Sequence, residues 1–280
     1  MTISKVCVTG ASGKAGQAMV QDLSAHGFQV LAVDIEPADL KVPFVRADLC
    51  DYGETVEILS QVEAVVHLAN IPAPGLRTAA VTFTRNTAMN SNVFLGAVQV
   101  GLERVVWASS ETTLGLPFDT PPRYVPIDED HYPYPTSTYA LSKVVGETVA
   151  AHVSEWSGIP IIGLRLSNIF TVADYEAVPG YWTEPTSRKW NLWGYIDVRD
   201  VAEAFRKALE APLSGAHNFI IAAADTIMNR PSKELMDTTF PGVPWNRTVG
   251  EFETLLAVDR ARSSLGFEPQ HTWRNHVVAG

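Results

Sequence analysis

The segment Val6-Cys7-Val8-Thr9-Gly10-Ala11-Ser12-Gly13-Lys14-Ala15-Gly16 constrains this chain more than any other. An apolar strand-like run stops at a glycine, and two more glycines follow at three-residue intervals as helical spacing begins. Without side chains, the backbone amides of such a turn can approach a pyrophosphate, and the N-terminus of the following helix favours its negative charge. The turn therefore predicts a strand-turn-helix unit that binds a dinucleotide, with Gly10, Ser12, Gly13, Lys14, Ala15 and Gly16 along the cofactor. A triphosphate loop is the competing reading of Gly13-Lys14. It fails because Val8 holds the place of its leading glycine and Ala15 that of the magnesium-binding Ser or Thr.

The rest of the chain continues the pattern. Runs rich in Val, Ile and Leu at 5–9, 29–33, 44–46, 64–68, 104–108 and 159–164 alternate with helical stretches, the longest at 81–100 and 138–156. A helix at 197–210 and a strand at 216–222 follow. Such alternation predicts an α/β fold, a Rossmann-type doubly wound parallel sheet with helices on both faces. Segment 116–135 holds six prolines and reads as loop, while 171–194 and much of the tail after Asp225 lack a clear period. The expected organisation is a nucleotide-binding domain, 1–170 plus 195–224, and a small irregular substrate-binding lobe, 171–194 plus 225–280.

Composition narrows the partners. A net charge of −10 without a local Lys/Arg cluster argues against nucleic acid and anionic membrane. No apolar run reaches the length of a membrane span, and no export signal is evident at the N-terminus, so a cytoplasmic protein is expected. Cys7 and Cys50 suit reduced thiols. The seven histidines show no metal-ligand spacing, and no metal is expected.

Asp34 closes the second strand, eighteen residues beyond Gly16. A carboxylate there can accept hydrogen bonds from the adenosine ribose and repels an added phosphate, which favours NAD over NADP. Lys14 keeps NADP as the minority choice. Asp48 and Leu49 are expected to flank the adenine, and Leu68, Ala69 and Asn70 to lie along the cofactor. His67 reads as a packed strand residue. Farther on, Tyr139 and Lys143 lie four apart on a helix and so share a face. An ammonium beside a phenol, together with an oxidised nicotinamide, favours the phenolate, which can take a proton from a substrate hydroxyl. Ser110, just past the fifth strand, is placed to hydrogen-bond the reacting oxygen.

With these residues in order, the chain resembles the extended short-chain dehydrogenase/reductases, also called the NAD-dependent epimerase/dehydratase family. The resemblance spans about the first 225 residues. It also draws on Asn86, Ser109-Ser110 with Gly115, Arg165-Leu166-Ser167-Asn168 and Tyr195-Ile196-Asp197-Val198-Arg199-Asp200-Val201-Ala202. It implies that Ser110, Tyr139 and Lys143 are the catalytic set, Asn86 supports the cofactor region and Asn168 faces the substrate. It further implies a homodimer through the two long helices, with Ala88, Val93, Ala97, Val144, Val145 and Val149 as candidate contacts.

Two departures bear on the reaction. Where family dehydratases carry Asp-Glu, this chain has Glu111-Thr112, which disfavours loss of water. Only 26 residues separate Asn168 from Tyr195, and Trp193 occupies the place of the arginine that holds a nucleotide-sugar diphosphate, so a nucleotide handle is not expected to fit. The segment is aromatic, suited to a sugar ring or to plain packing, and Arg188 or Lys189 could meet a carboxylate. Glu111, Thr112, Asn168, Arg188 and Trp193 are the candidate substrate residues. The expectation is an NAD-dependent oxidoreductase acting on a free sugar or sugar acid, similar to the compact uronate or aldose dehydrogenases. An epimerase holding NAD permanently and a non-catalytic NAD sensor are the alternatives.

Overall fold

The computed structural model describes residues 3–115 and 120–277. Strand β1 (Lys5–Thr9) leads through the glycine turn into α1 (Lys14–Ala25), followed by β2 (Gln29–Asp34), β3 (Phe44–Arg46), α2 (Tyr52–Leu59) and β4 (Ala64–His67). Next come α3 (Ala79–Val100), β5 (Arg104–Ser110), a 3-10 turn (Glu111–Leu114), α4 (Thr138–Ser157) and β6 (Ile161–Leu166). The remainder comprises β7 (Ile169–Phe170), β8 (Ile196–Asp197), α5 (Val198–Glu210), β9 (Ala216–Ile221), α6 (Ser232–Thr239) and α7 (Asp259–Leu265).

Seven parallel strands make the main sheet in the order β3-β2-β1-β4-β5-β6-β9. The chain winds outward from β1 to β3, then returns to the other side of β1 with β4. That reversal leaves a crevice at the carboxyl ends of β1 and β4, the usual ligand position in a doubly wound sheet. Both faces are covered, which explains why β4 and β6 are buried along their whole length rather than alternating. On one face Met19, Leu23, Phe205 and Leu209 pack against the sheet; on the other, Phe94, Ala97 and Val153 pack around Trp107 of β5. This is the Rossmann-type fold expected from the sequence.

A third apolar cluster gathers residues that follow the main strands with residues of the tail, among them Tyr175, Trp193, Tyr195, Phe240, Leu256 and Trp273. Isolated bridges tie the proline-rich segment to the tail, Val125 to Trp245 and Ile127 to Leu256. The first residues of that segment, 116–119, lie outside the described residues.

Several boundaries differ from the sequence reading for identifiable reasons. Pro160 has no N–H to donate, so β6 starts at Ile161, two residues later than expected. β5 continues to Ser110 because Ser109 and Ser110 stay in register with Arg165 and Leu166. In the segment expected to lack a period, two 3-10 stretches form, Ala173–Tyr181 and Pro185–Asn191. The tail forms α6 and α7, each too short to establish a helical period.

Candidate active site

A cleft of about 1120 Å³ runs along the strand ends from the β1–α1 turn to Ser110, Tyr139 and Trp190. At its first end the backbone is closely packed. Gly10 has φ +69°, and a Cβ there would stand 2.6 Å from the Ala69 nitrogen. A Cβ on Gly16 would collide with the Gly10 carbonyl. Ser12, Gly13, Lys14 and Ala15 line the same wall as both glycines, and the N-terminus of α1 opens beside them. Asp34 lines the cleft at the end of β2; its Oδ2 accepts the Ser12 N–H at 3.0 Å and its Oδ1 the Glu36 N–H at 3.1 Å. Bare amides at a helix start with a carboxylate one strand away fit a dinucleotide: pyrophosphate at the turn, ribose hydroxyls at Asp34.

Neighbouring residues divide by where their side chains go. Leu49, Leu68, Ala69 and Asn70 line the cleft. Asp48 does not. Its carboxylate accepts two hydrogen bonds from Arg85 Nη2, at 2.9 and 2.8 Å, and it is Arg85 that lines the cleft where Asp48 was expected beside the adenine. Lys14 Nζ donates to Asp174 Oδ2 at 2.8 Å and to the Ile169 carbonyl at 3.2 Å, so its charge is already partnered. Asn86 is buried behind the wall, where it accepts the Ile71 N–H at 2.8 Å and donates to the Ile71 carbonyl at 3.1 Å. It acts on the cleft through Ile71, which lines it.

The other end is built on α4. Ser137 caps the helix by accepting the Ala140 N–H at 3.1 Å, and Tyr139 and Lys143 project from the first two turns into the cleft. They are 9% and 1% exposed. Lys143 Nζ donates to the Ala108 carbonyl at 2.8 Å and lies 5.7 Å from the Trp107 ring centroid. Ser110 Oγ accepts from the Thr112 N–H at 3.2 Å and the Thr112 hydroxyl at 3.0 Å, which leaves the Ser110 proton to turn toward the Tyr139 oxygen beside it. Burial pushes the Tyr139 phenol up to about 12; neighbouring Ser110 opposes the shift and Glu111 adds to it. Burial pushes Lys143 down to about 7, with Glu147 opposing. Burial alone thus acts against the phenolate, and the expected preference for it counts on an oxidised nicotinamide beside the ring. Water is excluded from both groups, and the amine itself loses much of its charge near neutrality.

Glu111, Thr112 and Asn168 line this end. Glu111 is 3% exposed; its Oε1 accepts from Asn191 Nδ2 at 3.3 Å, and burial pushes it up to about 7 against the pull of Ser167, Asn191 and Arg188. Arg188 and Trp193 are not in the cleft lining, contrary to expectation. The Arg188 guanidinium is enclosed by Phe170, Tyr181 and Trp190, with ring centroids at 5.7, 5.0 and 5.0 Å. Positive φ at Leu192 and Trp193 reverses the chain, and Trp193 is fully buried with its indole N–H donating to the Pro185 carbonyl at 2.6 Å.

Of the aromatics in that segment Trp190, not Trp193, reaches the cleft, and sequence reasoning missed the wall from Ile71 to Pro74. Two prolines after a strand end were the available signal for that wall. His67 is a packed strand residue: fully buried, with Nδ1 2.8 Å from the Thr9 hydroxyl and Nε2 3.1 Å from Asn90 Oδ1. Arg165 is a structural partner, its Nε and Nη2 each 2.9 Å from the carboxylate oxygens of Glu147.

A seven-stranded doubly wound sheet with a dinucleotide turn and a Tyr/Lys pair defines a nicotinamide-dependent enzyme of the short-chain dehydrogenase/reductase class. Residues 6–224 match the model of the NAD dependent epimerase/dehydratase family, and the chain belongs to that family; its cofactor is NAD. An NAD-dependent glucose-6-phosphate dehydrogenase of Haloferax volcanii is 26% identical, over 95% of this chain and 92% of its own length. A UDP-glucose 4-epimerase of Rhizobium leguminosarum bv. trifolii is also 26% identical, over 95% and 93%. Among solved structures, a short-chain dehydrogenase/reductase superfamily protein from Agrobacterium tumefaciens with bound NAD superposes with a TM-score of 0.76. It is 21% identical, with 97% of this chain and 94% of that one covered.

Proposed function

We propose that the protein is an NAD-dependent oxidoreductase that exchanges hydride with a small polyhydroxylated substrate, a free sugar or a sugar acid. The observation that carries this reading is the convergence of Ser110, Tyr139 and Lys143 at one end of the cleft that has Asp34 and the glycine turn at the other. Bound NAD supplies the hydride acceptor and, when oxidised, a positive charge that favours phenolate. Ser110 donates to the substrate oxygen, Tyr139 removes its proton, and Lys143, fixed to the Ala108 carbonyl, supports the phenolate and the cofactor ribose. Enclosure of both groups excludes water from the proton transfer. In this reading the cofactor domain is 1–170 plus 195–224 and the substrate lobe is 171–194 plus 225–280, of which Trp190 reaches the cleft.

Incubation with NAD and a panel of aldoses, uronic acids and polyols, following NADH, tests the reading. Turnover of at least one is expected. Tight binding of a nucleotide sugar with no turnover of any small sugar rejects it. Epimerisation is the second reading, favoured by the epimerase as similar to this chain as the dehydrogenase. It predicts NAD retained through purification and product isomers by NMR without net NADH.

The working form in this reading is a cytoplasmic homodimer. Leu95 on α3 and Leu141 on α4, each 40% exposed, are apolar surface for a two-fold contact. Val93 and Ala97 are fully buried in the subunit's own core, which removes them from the contacts considered. A monomeric mass in solution overturns the dimer.

A further inference from the structure

We infer that the ion pair of Lys14 with Asp174 is a clasp across the pyrophosphate part of the cleft, which must open for the dinucleotide to enter or leave. The inference goes beyond the oxidoreductase reading and rests only on the cofactor that family membership gives. Lys14 is the first residue of α1, in the glycine turn, whereas Asp174 belongs to the 3-10 stretch after β7, 160 residues along the chain. Lys14 and Ile169 both line the cleft, one from the turn and the other from β7. By donating to the Ile169 carbonyl at 3.2 Å and to Asp174 Oδ2 at 2.8 Å, the Lys14 amine bridges those two walls beside the turn that receives the phosphates.

The partners are built differently. Asp174 is a fixed post: its carboxylate accepts the Thr171 N–H at 2.6 Å and the Thr171 hydroxyl at 2.9 Å, and the next residue, Tyr175, is buried and donates to Asp197 Oδ2 at 2.6 Å. Burial works against its charge, yet the bonds from Lys14 and Thr171 hold the Asp174 carboxyl below the usual carboxylate range, so it stays ionised at neutral pH. Lys14 is the movable arm, a flexible four-carbon stem with a compact charge at its tip. Nothing in α1 itself asks for a cation there. The N-terminal end of a helix disfavours positive charge, and the first turn of α1 carries no acid to offset it. A direct bond to the cofactor phosphates is the competing use of that charge, but the amine is already held by two acceptors on the opposite wall.

Cofactor release tests the clasp without any substrate. Protein loaded with NADH is mixed with excess NAD in a stopped-flow instrument, and the loss of NADH fluorescence gives the release rate. Where NAD stays bound through purification, exchange with labelled NAD gives the same quantity. Asp174→Asn keeps an acceptor for the Thr171 amide and removes the charge that holds Lys14. Its release is expected to be about three- to tenfold faster than that of the wild type, the scale of an exposed pair reinforced by one charge-assisted hydrogen bond. Lys14→Met should release faster by a similar factor, and Lys14→Arg, which keeps the cation, should stay within about twofold of the wild type. Combining Lys14→Met with Asp174→Asn should release no faster than the faster single variant, since a clasp opened from one side is already open. The gap between wild type and Asp174→Asn should close as salt rises from ~0.05 M to ~1 M, because the two side chains are 46% and 39% exposed and ions screen the pair.

Release from Asp174→Asn at the wild-type rate or slower overturns the clasp; slower release would mean that the freed amine binds the phosphates and that Asp174 competes for it. Rate increases that multiply in the double variant overturn it too, because the two charges would then act on the cofactor independently. If a variant does not fold, a wild-type release rate indifferent to salt overturns it equally. None of these outcomes touches the hydride chemistry. Failure to turn over any small sugar, with the release pattern as expected, removes the oxidoreductase reading and leaves the clasp standing.

Discussion

Lys143 Nζ lies 5.6 Å from the centroid of the Tyr139 ring, one helical turn away on α4, while it donates to the Ala108 carbonyl. Burial drives the two groups in opposite senses, the phenol up to about 12 and the amine down to about 7. Each shift disfavours charge, as desolvation must. The site therefore enters the reaction with a neutral phenol, and a cation brought alongside it has a large effect because little solvent screens the pair.

Removing the phenol oxygen should abolish the chemistry without abolishing cofactor binding. Tyr139→Phe is expected to lower turnover by about 10²–10⁴-fold, the usual worth of a positioned acid/base, with NAD affinity nearly unchanged. Ser110→Ala should cost less, since it orients the reacting oxygen. Unchanged activity in Tyr139→Phe would move the protein to a cofactor-sensing role.

The raised phenol also sets the pH profile. Substrate oxidation needs the deprotonated form, whose fraction grows with pH up to about 12, so kcat/KM for oxidation should rise from pH 7 into the alkaline range. A rise with pH that persists unchanged in Tyr139→Phe would show that Tyr139 is not the proton acceptor.

Asp34 couples cofactor choice to the glycine turn, because its carboxylate holds the Ser12 and Glu36 amides as well as facing the ribose site. Asp34→Ala leaves those donors unpaired, at about 1–3 kcal/mol, and should weaken NAD binding by about tenfold or more while improving NADP relative to NAD. Titration with both cofactors, followed by calorimetry, checks the prediction. Undiminished preference for NAD would assign the discrimination elsewhere.

The fold was legible because parallel strands buried on both faces leave unbroken apolar runs, as in Val105-Val106-Trp107, and because Gly10 and Gly16 stand where the backbone leaves no room for a side chain. The placements of Tyr139, Lys143 and Ser110 follow from strand end and helix period, both local signals. Trp193 and Arg188 were not legible. Their direction depends on a reversal at Leu192 that no periodicity announces, and on an aromatic enclosure assembled from Phe170, Tyr181 and Trp190. Asp48 depends likewise on a partner 37 residues away, Arg85.

His67 gives the protein an acid-sensitive element. Full burial, with a smaller push from Lys143, lowers it from 6.5 to about 3, so between those values the unfolded chain takes up a proton that the folded chain refuses. Its contribution is complete above about pH 6.5 and declines as pH falls toward 3, reaching a loss of about 2 kcal/mol by pH 5. His67→Gln removes the titration, and its melting temperature should fall less than that of the wild type between pH 7 and pH 5. Parallel declines would sink the assignment.

Glu111 has the opposite linkage. Its carboxyl is raised from 4.5 to about 7, so between those values the folded protein keeps a proton that the unfolded chain has released. The stability tied to that proton is full below pH 4.5 and is lost as pH rises through 7, leaving a buried anion above it. Glu111→Gln has no such loss. Its stability relative to wild type should therefore improve by up to about 3 kcal/mol between pH 4.5 and pH 8, the direction opposite to His67→Gln over most of the same window. Urea denaturation of both variants and the wild type at the two pH values separates the effects. A stability difference for Glu111→Gln that is the same at both would mean that the carboxyl reaches solvent and is not desolvated by the fold.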